Sequence, residues 1–333
     1  MPGDDRAVRA AVLAEIRQVV PCDAYVWVLT DPTTTVGASP LAEVPSLQDL
    51  PTLIRLKYLT PTNRWTTLAG DEVATLVGAT GGHLDQSLVW RELLRSYGVH
   101  DVASMVLRDT QGCWGFLDLW RSAPTSRAFS RSDRAFLASV LPELTQSLRA
   151  SLAGTFAVPA EKAPSDGPAV LLLNDTLKLA TQTAQADTQL RALLPTLPGQ
   201  SPVPAVALNV AAQLLALESG IDTHAPTARL HRGGGRWLQV RAARLDPEPE
   251  TGAMIAVTIE HAPPAQRLEV YCRVIGLTAR ERELVGHLVG GADTRGVAAV
   301  LGIGEYTVND HLRSIFAKAG VNSRRQLITN AHG

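Results

Sequence analysis

Cysteine is scarce in this chain of 333 residues: Cys22, Cys113 and Cys272 are the whole supply. Isolated and odd in number, they exclude a disulfide framework, a zinc site and an iron–sulfur cluster. No apolar run approaches the roughly 18 residues that a membrane-spanning helix needs. No basic segment followed by an apolar stretch suggests secretion, so the expected compartment is the cytoplasm. Catalytic signatures are missing as well. No Ser/His/Asp order, metal-ligand spacing or paired-acid motif stands out, so neither an enzyme nor a bound cofactor is expected. A phosphorylated receiver domain would need acidic residues at strand ends, and Asp4-Asp5 precedes any strand. Aromatic residues make up only 5%, so any cluster of them is informative. What remains is the profile of an ordinary globular protein: 45% hydrophobic, 19% charged and a net charge of −1. The length fits two or three domains.

The densest signal lies in residues 277–327. Thr278 and Glu281 have the spacing of a capping box, in which each side chain bonds the other's backbone N–H. Leu284, Val285, Leu288 and Val289 follow on one helix face, and Gly290-Gly291 ends the helix. Asp293 caps a short helix whose inward face is Val297, Ala298 and Leu301. Gly302-Ile303-Gly304 then makes a tight turn. The third helix buries Val308, Leu312, Ile315, Phe316 and Ala319. That spacing turns Tyr306, Asn309, Asp310, Arg313 and Ala317 outward, on the face that a helix-turn-helix lays into the major groove of DNA.

In register, Leu277-Thr278-x-Arg280-Glu281-x-Glu283, Gly291, Val297-Ala298, Leu301-Gly302-Ile303, Thr307-Val308-x-x-His311, Ile315, Lys318 and Val321-x-x-Arg324 resemble the LuxR-type helix-turn-helix of bacterial transcription regulators. The resemblance implies double-stranded DNA as partner, with Tyr306, Asn309, Asp310 and Arg313 presented to the groove. Thr307, Lys318 and Arg295 are the expected phosphate contacts. Arg324 either joins them or bridges helices internally. Asn309 suits the N6/N7 edge of adenine and Arg313 suits guanine O6/N7. Asp310 repels phosphate, so it accepts from a cytosine amino group or lies over a step without contact. The sequence departs from the family at Gly304, where a Ser or Thr cap is usual, and at Asn309, where Lys is usual. Gly296 stands where Glu is favoured and costs roughly 1 kcal/mol of helix propensity. These departures imply an unusual sequence preference. From Leu277 onward seven Lys and Arg against five Asp and Glu leave +2, a modest grip for one module. A homodimer reading half-sites about one helical turn apart is therefore expected. The polar last helix shifts the dimer contact toward upstream domains.

Residues 1–153 read as helix, strand, long loop, helix, two strands and long helix. Val8, Val12, Ile16 and Val19 stripe the opening helix, and residues 24–30 form a strand. Residues 31–88 read as irregular, residues 90–97 as a helix, and residues 102–107 and 112–120 as a hairpin. The closing helix spans residues 130–152, where Leu137, Leu141, Leu144, Leu148 and Leu152 form either a dimer seam or the face that packs on the sheet. Pro142 bends or interrupts it. The order resembles a GAF domain, a small-molecule sensor fold. Alternation along the last strand places Trp114, Phe116, Asp118 and Trp120 on one face. With Tyr25, Trp27, Trp65 and Trp90, the residues Trp114, Phe116 and Asp118 are candidates for an aromatic ligand pocket under the long loop, Asp118 being its polar anchor. The alternative is that these rings are core.

Residues 154–168 read as a linker rich in Ala, Pro, Ser and Gly. Strands at 169–173 and 177–183, helices at 187–194 and 203–217, and strands at 228–231, 235–245 and 254–261 follow. Two strands, helices and three strands resemble a PAS domain. Gly233-Gly234-Gly235 reads as a hairpin turn, and His224 and His231 as surface residues beside a turn rather than haem ligands. The flavin-attaching Cys motif of light-sensing PAS relatives is absent. Pro263-Pro264 opens a connector helix with Leu268, Tyr271, Cys272 and Ile275 on one face.

The expected fold is multidomain α+β. A GAF-like domain (1–153), the linker (154–168) and a PAS-like domain (169–262), both domains built on antiparallel sheets, precede a connector and an all-α four-helix LuxR-type domain (263–333). The expected function is a DNA-binding transcription regulator whose promoter binding responds to an unidentified small molecule or to rearrangement of its sensory domains. RNA polymerase is a further expected partner. The alternatives are a quorum sensor of the acyl-homoserine-lactone type, and a module that uses the helix-turn-helix to hold a protein.

Overall fold

The computed structural model describes residues 5–157, 167–186, 203–233, 235–246 and 252–332. They fall into two units, the first made of residues 1–148, 165–230 and 238–261, the second of residues 149–164, 231–237 and 262–333. The helix expected at 187–194 lies outside the described residues. No helix among the described residues is long and apolar enough to cross a membrane.

The first unit holds two antiparallel five-stranded sheets. Strands β1 (Ala24–Thr30), β2 (Gly37–Glu43), β3 (Val73–Thr75), β4 (Asp101–Asp109) and β5 (Gly112–Arg121) lie in the order β2-β1-β5-β4-β3. Strands β6 (Ala169–Leu173), β7 (Leu179–Gln182), β8 (Thr227–Gly233), β9 (Arg236–Arg244) and β10 (Ile255–His261) take the order β7-β6-β10-β9-β8. Counted within each sheet the two orders are the same.

Strand alternation divides the first sheet into two faces. Trp27, opposite Leu117, faces a core completed by Leu13 and Ile16 of α1 (Asp5–Val19) and by Leu137 and Leu141 of α5 (Arg131–Gly154). Leu144 and Leu148 pack against that same core, so these leucines of α5 cover their own sheet. The helix continues through Pro142 without a break in its assignment. On the opposite face Val26 pairs with Asp118 and Val28 with Phe116. That face is covered from residues expected to be irregular. Between 31 and 88 the chain forms β2, α2 (Leu50–Leu59), β3 and α3 (Leu76–Ala79). Pro40 hid β2, because proline within a sheet is confined to edge positions, and β2 is an edge strand. Pro51 in the first turn of α2 is a start signal rather than a breaker. The helix expected at 90–97 is instead α4 (Leu88–Glu92) followed by a 3-10 turn (Leu94–Tyr97), closed by Gly98 at φ 69°.

The second sheet buries Leu171, Leu173, Val240, Ile255, Val257 and Ile259 against α6 (Ala205–Glu218). This helix is apolar all round, as a helix with no solvent face should be: every residue from Val206 to Ala216 is buried. It packs on α2 and β2 as well as on β10. Fully burying a Val or Leu side chain contributes about 1.5–3 kcal/mol, so α6 is the main apolar contact between the two sheets. Two buried ion pairs reinforce it, Arg64–Asp222 and Arg229–Asp31, each at 2.6 Å.

In the second unit Phe156 packs against Trp237 and Tyr271, with ring centroids 4.7 and 5.2 Å apart. Tyr271 belongs to α7 (Pro264–Val274), the expected connector. Helices α8 (Ala279–Val289), α9 (Thr294–Leu301), α10 (Glu305–Ala319) and α11 (Arg324–His332) follow. Between α7 and α8, Gly276 adopts φ 73°. A Cβ there would meet the Arg149 guanidinium, whose Nε donates to the Val274 carbonyl at 2.9 Å.

Candidate nucleic-acid interface and ligand cavity

The capping box at the start of α8 is formed: Glu281 N–H donates to Thr278 Oγ1, and Thr278 N–H donates to Glu281 Oε2. Glu281 does more than cap. Its carboxylate, only 3% exposed, also accepts from Lys318 Nζ at 2.6 Å and from Ser314 Oγ at 2.8 Å. Burial pushes this carboxyl up, but Lys318 and the other donors outweigh it and hold it down at about 2. One side chain thus caps α8 and fastens α10 to it. Nothing in the capping-box spacing signals that second role.

Asp293 caps α9 through the Gly296 N–H at 2.7 Å. Gly302, at φ 64°, ends α9 in the left-handed region that glycine adopts without strain. Gly304 starts α10 with no side-chain cap. Val308 and Ile315 are buried, and Tyr306, Thr307, Asn309, Asp310 and Arg313 form an exposed face. Their spacing of i, i+1, i+3, i+4 and i+7 keeps them on one side of the helix. Tyr306 is 75% exposed, and Arg313 reaches Asp310 at 2.8 Å with its own side chain 74% exposed. An exposed pair of this kind contributes little to stability, but it orients the guanidinium outward. Arg295 is exposed on α9. Lys318 stands apart, because its charge is engaged by Glu281. Arg324 donates to the carbonyls of Ala292 and Leu288, which is the internal bridging role, and Arg280 similarly donates to the Leu301 carbonyl at 2.6 Å.

In the first unit a cavity of about 70 Å³ lies on the face of the first sheet that carries Val26, Val28, Phe116 and Asp118. One water needs roughly 10–15 Å³ of such space, so the cavity has room for several waters or one compact organic molecule. Leu53 and Ile54 of α2 and Leu94 form much of the remaining apolar wall. Asp118 is paired at 2.7 Å with Lys57, also at the wall, and both side chains are largely buried. Asn209 of α6 completes the lining.

Of the expected pocket residues, Phe116 and Asp118 line this cavity and the other five do not. Trp27 points into the helix-covered core, since it pairs with Leu117 and not with the Phe116 face, and Tyr25 packs at the same side. Trp65 lies behind the wall, stacked on Phe116 at 4.5 Å, with its Nε1 donating to the Thr35 carbonyl. Trp90 donates to the Val99 carbonyl at the sheet's far end. Trp114 is displaced by an irregularity in the β4–β5 register, where Leu107 opposes Gly115 and Arg108 opposes Cys113. Sequence reasoning missed Lys57, Ser87 and Asn209 and left Trp120 out of the pocket. The placement of Trp120 was available from its alternation with Phe116 and Asp118.

His224 Nδ1 meets Asp222 at 2.6 Å, and His231 lies over Trp237 at 5.7 Å. No cluster among the described residues could hold a metal ion. All three cysteines are buried and free, and burial pushes Cys22 up to about 11 and Cys272 to about 12.

Residues 276–331 match the family described as bacterial regulatory proteins, luxR family, and residues 7–148 match the GAF domain. The monoamine regulon transcriptional regulator of Klebsiella aerogenes is 47% identical over 53 residues, which are 16% of this chain and 23% of that protein. A putative HTH-type transcriptional regulator of Aeromonas salmonicida is 43% identical over 51 residues, 15% of this chain and 26% of that protein. The likeness therefore spans about a quarter of each relative's length. Among solved structures, Escherichia coli SdiA aligns over 97% of this chain and 88% of its own, at 12% identity and a TM-score of 0.30.

Proposed function

We infer that this chain, in which a GAF domain precedes a LuxR-family helix-turn-helix domain, is a transcription regulator that binds DNA as a homodimer and answers to a small molecule. The observation that carries the DNA reading is the outward face of α10. Tyr306, Asn309 and Arg313 sit on one side of a helix whose buried side is locked to α8 through Glu281. Thr307 and Arg295 flank that face as phosphate donors. Asp310 holds Arg313 in the pose that a guanine contact needs. Lys318 serves first as a fastener, and reaches phosphate only by leaving Glu281. The second sheet, with two strands, a helix and three strands in sequence, supports a PAS-like relay, and the Asn209 contribution to the cavity wall links that relay to the ligand. RNA polymerase is the partner through which such a regulator would act.

The test is selection of bound duplexes from a random pool, followed by titration at several salt concentrations. A steep fall in affinity with salt is expected. Arg313→Ala should lose about 1–3 kcal/mol of discrimination at one base position while changing the salt slope little. Equal binding of all duplexes by mutant and wild type would remove Arg313 from the reading face. A flat salt response would favour the protein-holding alternative.

A further inference from the structure

The cavity wall carries a surplus of hydrogen-bond donors. Ser87 Oγ and Trp120 Nε1, on residues 1% and 2% exposed, find no partner among the described residues, and neither does Asn63 Nδ2. All three residues line the same cavity and come from three separate segments of the chain. Trp27 and Trp114 also have unpartnered indoles away from it, so a lone indole decides nothing. The convergence of a hydroxyl, an indole and an amide on one wall does. Buried polar groups are rarely left unpaired, because each costs about 1–3 kcal/mol.

Ser87 is the sharpest case. It occupies the N-cap position of α4, where a serine normally accepts from the helix backbone, yet its side chain makes no capping bond. Asn63 adopts φ 50°, a conformation asparagine tolerates, so its backbone explains the residue type but not the unpartnered amide. Charge at the wall is already balanced, since Lys57 and Asp118 neutralise each other at 2.7 Å. An added anion or cation would leave an uncompensated charge in an apolar surround.

We propose that the cavity binds a compact, neutral, apolar molecule that carries carbonyl-type acceptors, held by Ser87 Oγ–H and Trp120 Nε1–H. This rests on the reading of the GAF domain as the sensor and names the class of its ligand.

Four probes of similar size separate the chemistries: acetophenone (neutral acceptor), ethylbenzene (no acceptor), benzoate (anion) and 1-phenylethylamine (cation). Each is titrated into the full-length protein by saturation-transfer NMR, with DNA affinity measured on the same samples. Acetophenone should bind at least about tenfold more tightly than the other three. Ser87→Ala and Trp120→Phe should each weaken acetophenone about three- to tenfold and leave ethylbenzene unchanged. Circular dichroism identifies any variant that has not folded, and Ser87→Ala removes no contact the fold uses. Equal affinity for ethylbenzene, preference for either charged probe, or variants that bind acetophenone like wild type would overturn the ligand class while leaving the sensor reading intact. If none of the four binds, the class and the sensor reading of this cavity fall together, and retained DNA affinity would show that the regulator reading survives them.

Discussion

Glu281 shows how much one residue can hold. Its carboxylate takes the Thr278 backbone N–H, Ser314 and Lys318 at once. Burial alone would raise its pKa, and the donors bring it down to about 2 from an ordinary 4.5. A depressed folded-state value means that the stabilisation is fully present above about pH 4.5 and is lost as pH falls toward 2. Its size is on the order of 3 kcal/mol. Amide exchange in α8 and α10, followed between pH 6 and 2.5, should therefore report loosening below pH 4.5. Glu281→Gln should flatten that dependence and lower protection at neutral pH. An unchanged acid transition in the variant would mean that another carboxylate controls it. Lys318→Met gives the complementary result, since it leaves a buried carboxylate without its cation. Protection should fall at neutral pH, and the acid loss should begin at higher pH than in the wild type.

Elements were legible in the sequence where periodicity was long and punctuation unambiguous. The β4–β5 hairpin, α5, and the caps of α8 and α9 all repeat a pattern over at least two turns or several strand pairs. The stretch from 31 to 88 was illegible because its elements are short and its prolines sit where proline is permitted, on the edge strand β2 and in the first turn of α2. The cavity was half legible for a related reason. Phe116 and Asp118 follow from alternation on β5, but Lys57 comes from the hidden helix α2 and Asn209 from α6, some 90 residues downstream. Only tertiary packing brings α6 there. The Arg64–Asp222 pair fixes that packing: Arg64 also reaches Gln213 of α6 at 3.2 Å, and Asp222 accepts from His224. Burial pushes the Asp222 carboxyl up, yet the His224 and Arg64 bonds hold it far below the usual carboxylate range. Asp222→Ala would leave the Arg64 guanidinium buried and short of its anion, at a cost of about 3–5 kcal/mol. Urea unfolding followed by tryptophan fluorescence should show the midpoint fall accordingly. A loss below about 1 kcal/mol would mean that Gln213 and the Tyr58 carbonyl suffice for Arg64.

At the scale of the whole molecule the charge distribution sets the stoichiometry on DNA. The chain has a net charge of −1, and residues from Leu277 onward sum to +2. Within that small excess Lys318, Arg280 and Arg324 are engaged by Glu281, Leu301 and Ala292, so few cations remain for phosphate. A single module neutralising so few phosphates binds non-specific DNA weakly, and promoter recognition then requires two modules acting together. Joined copies convert the second binding event into an intramolecular one, which raises overall affinity about 10²–10⁴-fold when both sites are reached at once. That gain depends on geometry. Duplexes with two half-sites on the same face, about 10 base pairs apart centre to centre, should bind two chains cooperatively in sedimentation and anisotropy measurements. Inserting about five base pairs turns the second half-site to the opposite face of the helix and should reduce affinity to that of a single half-site. If affinity is indifferent to that insertion, the two modules are not held in fixed register, and the homodimer is tethered rather than docked.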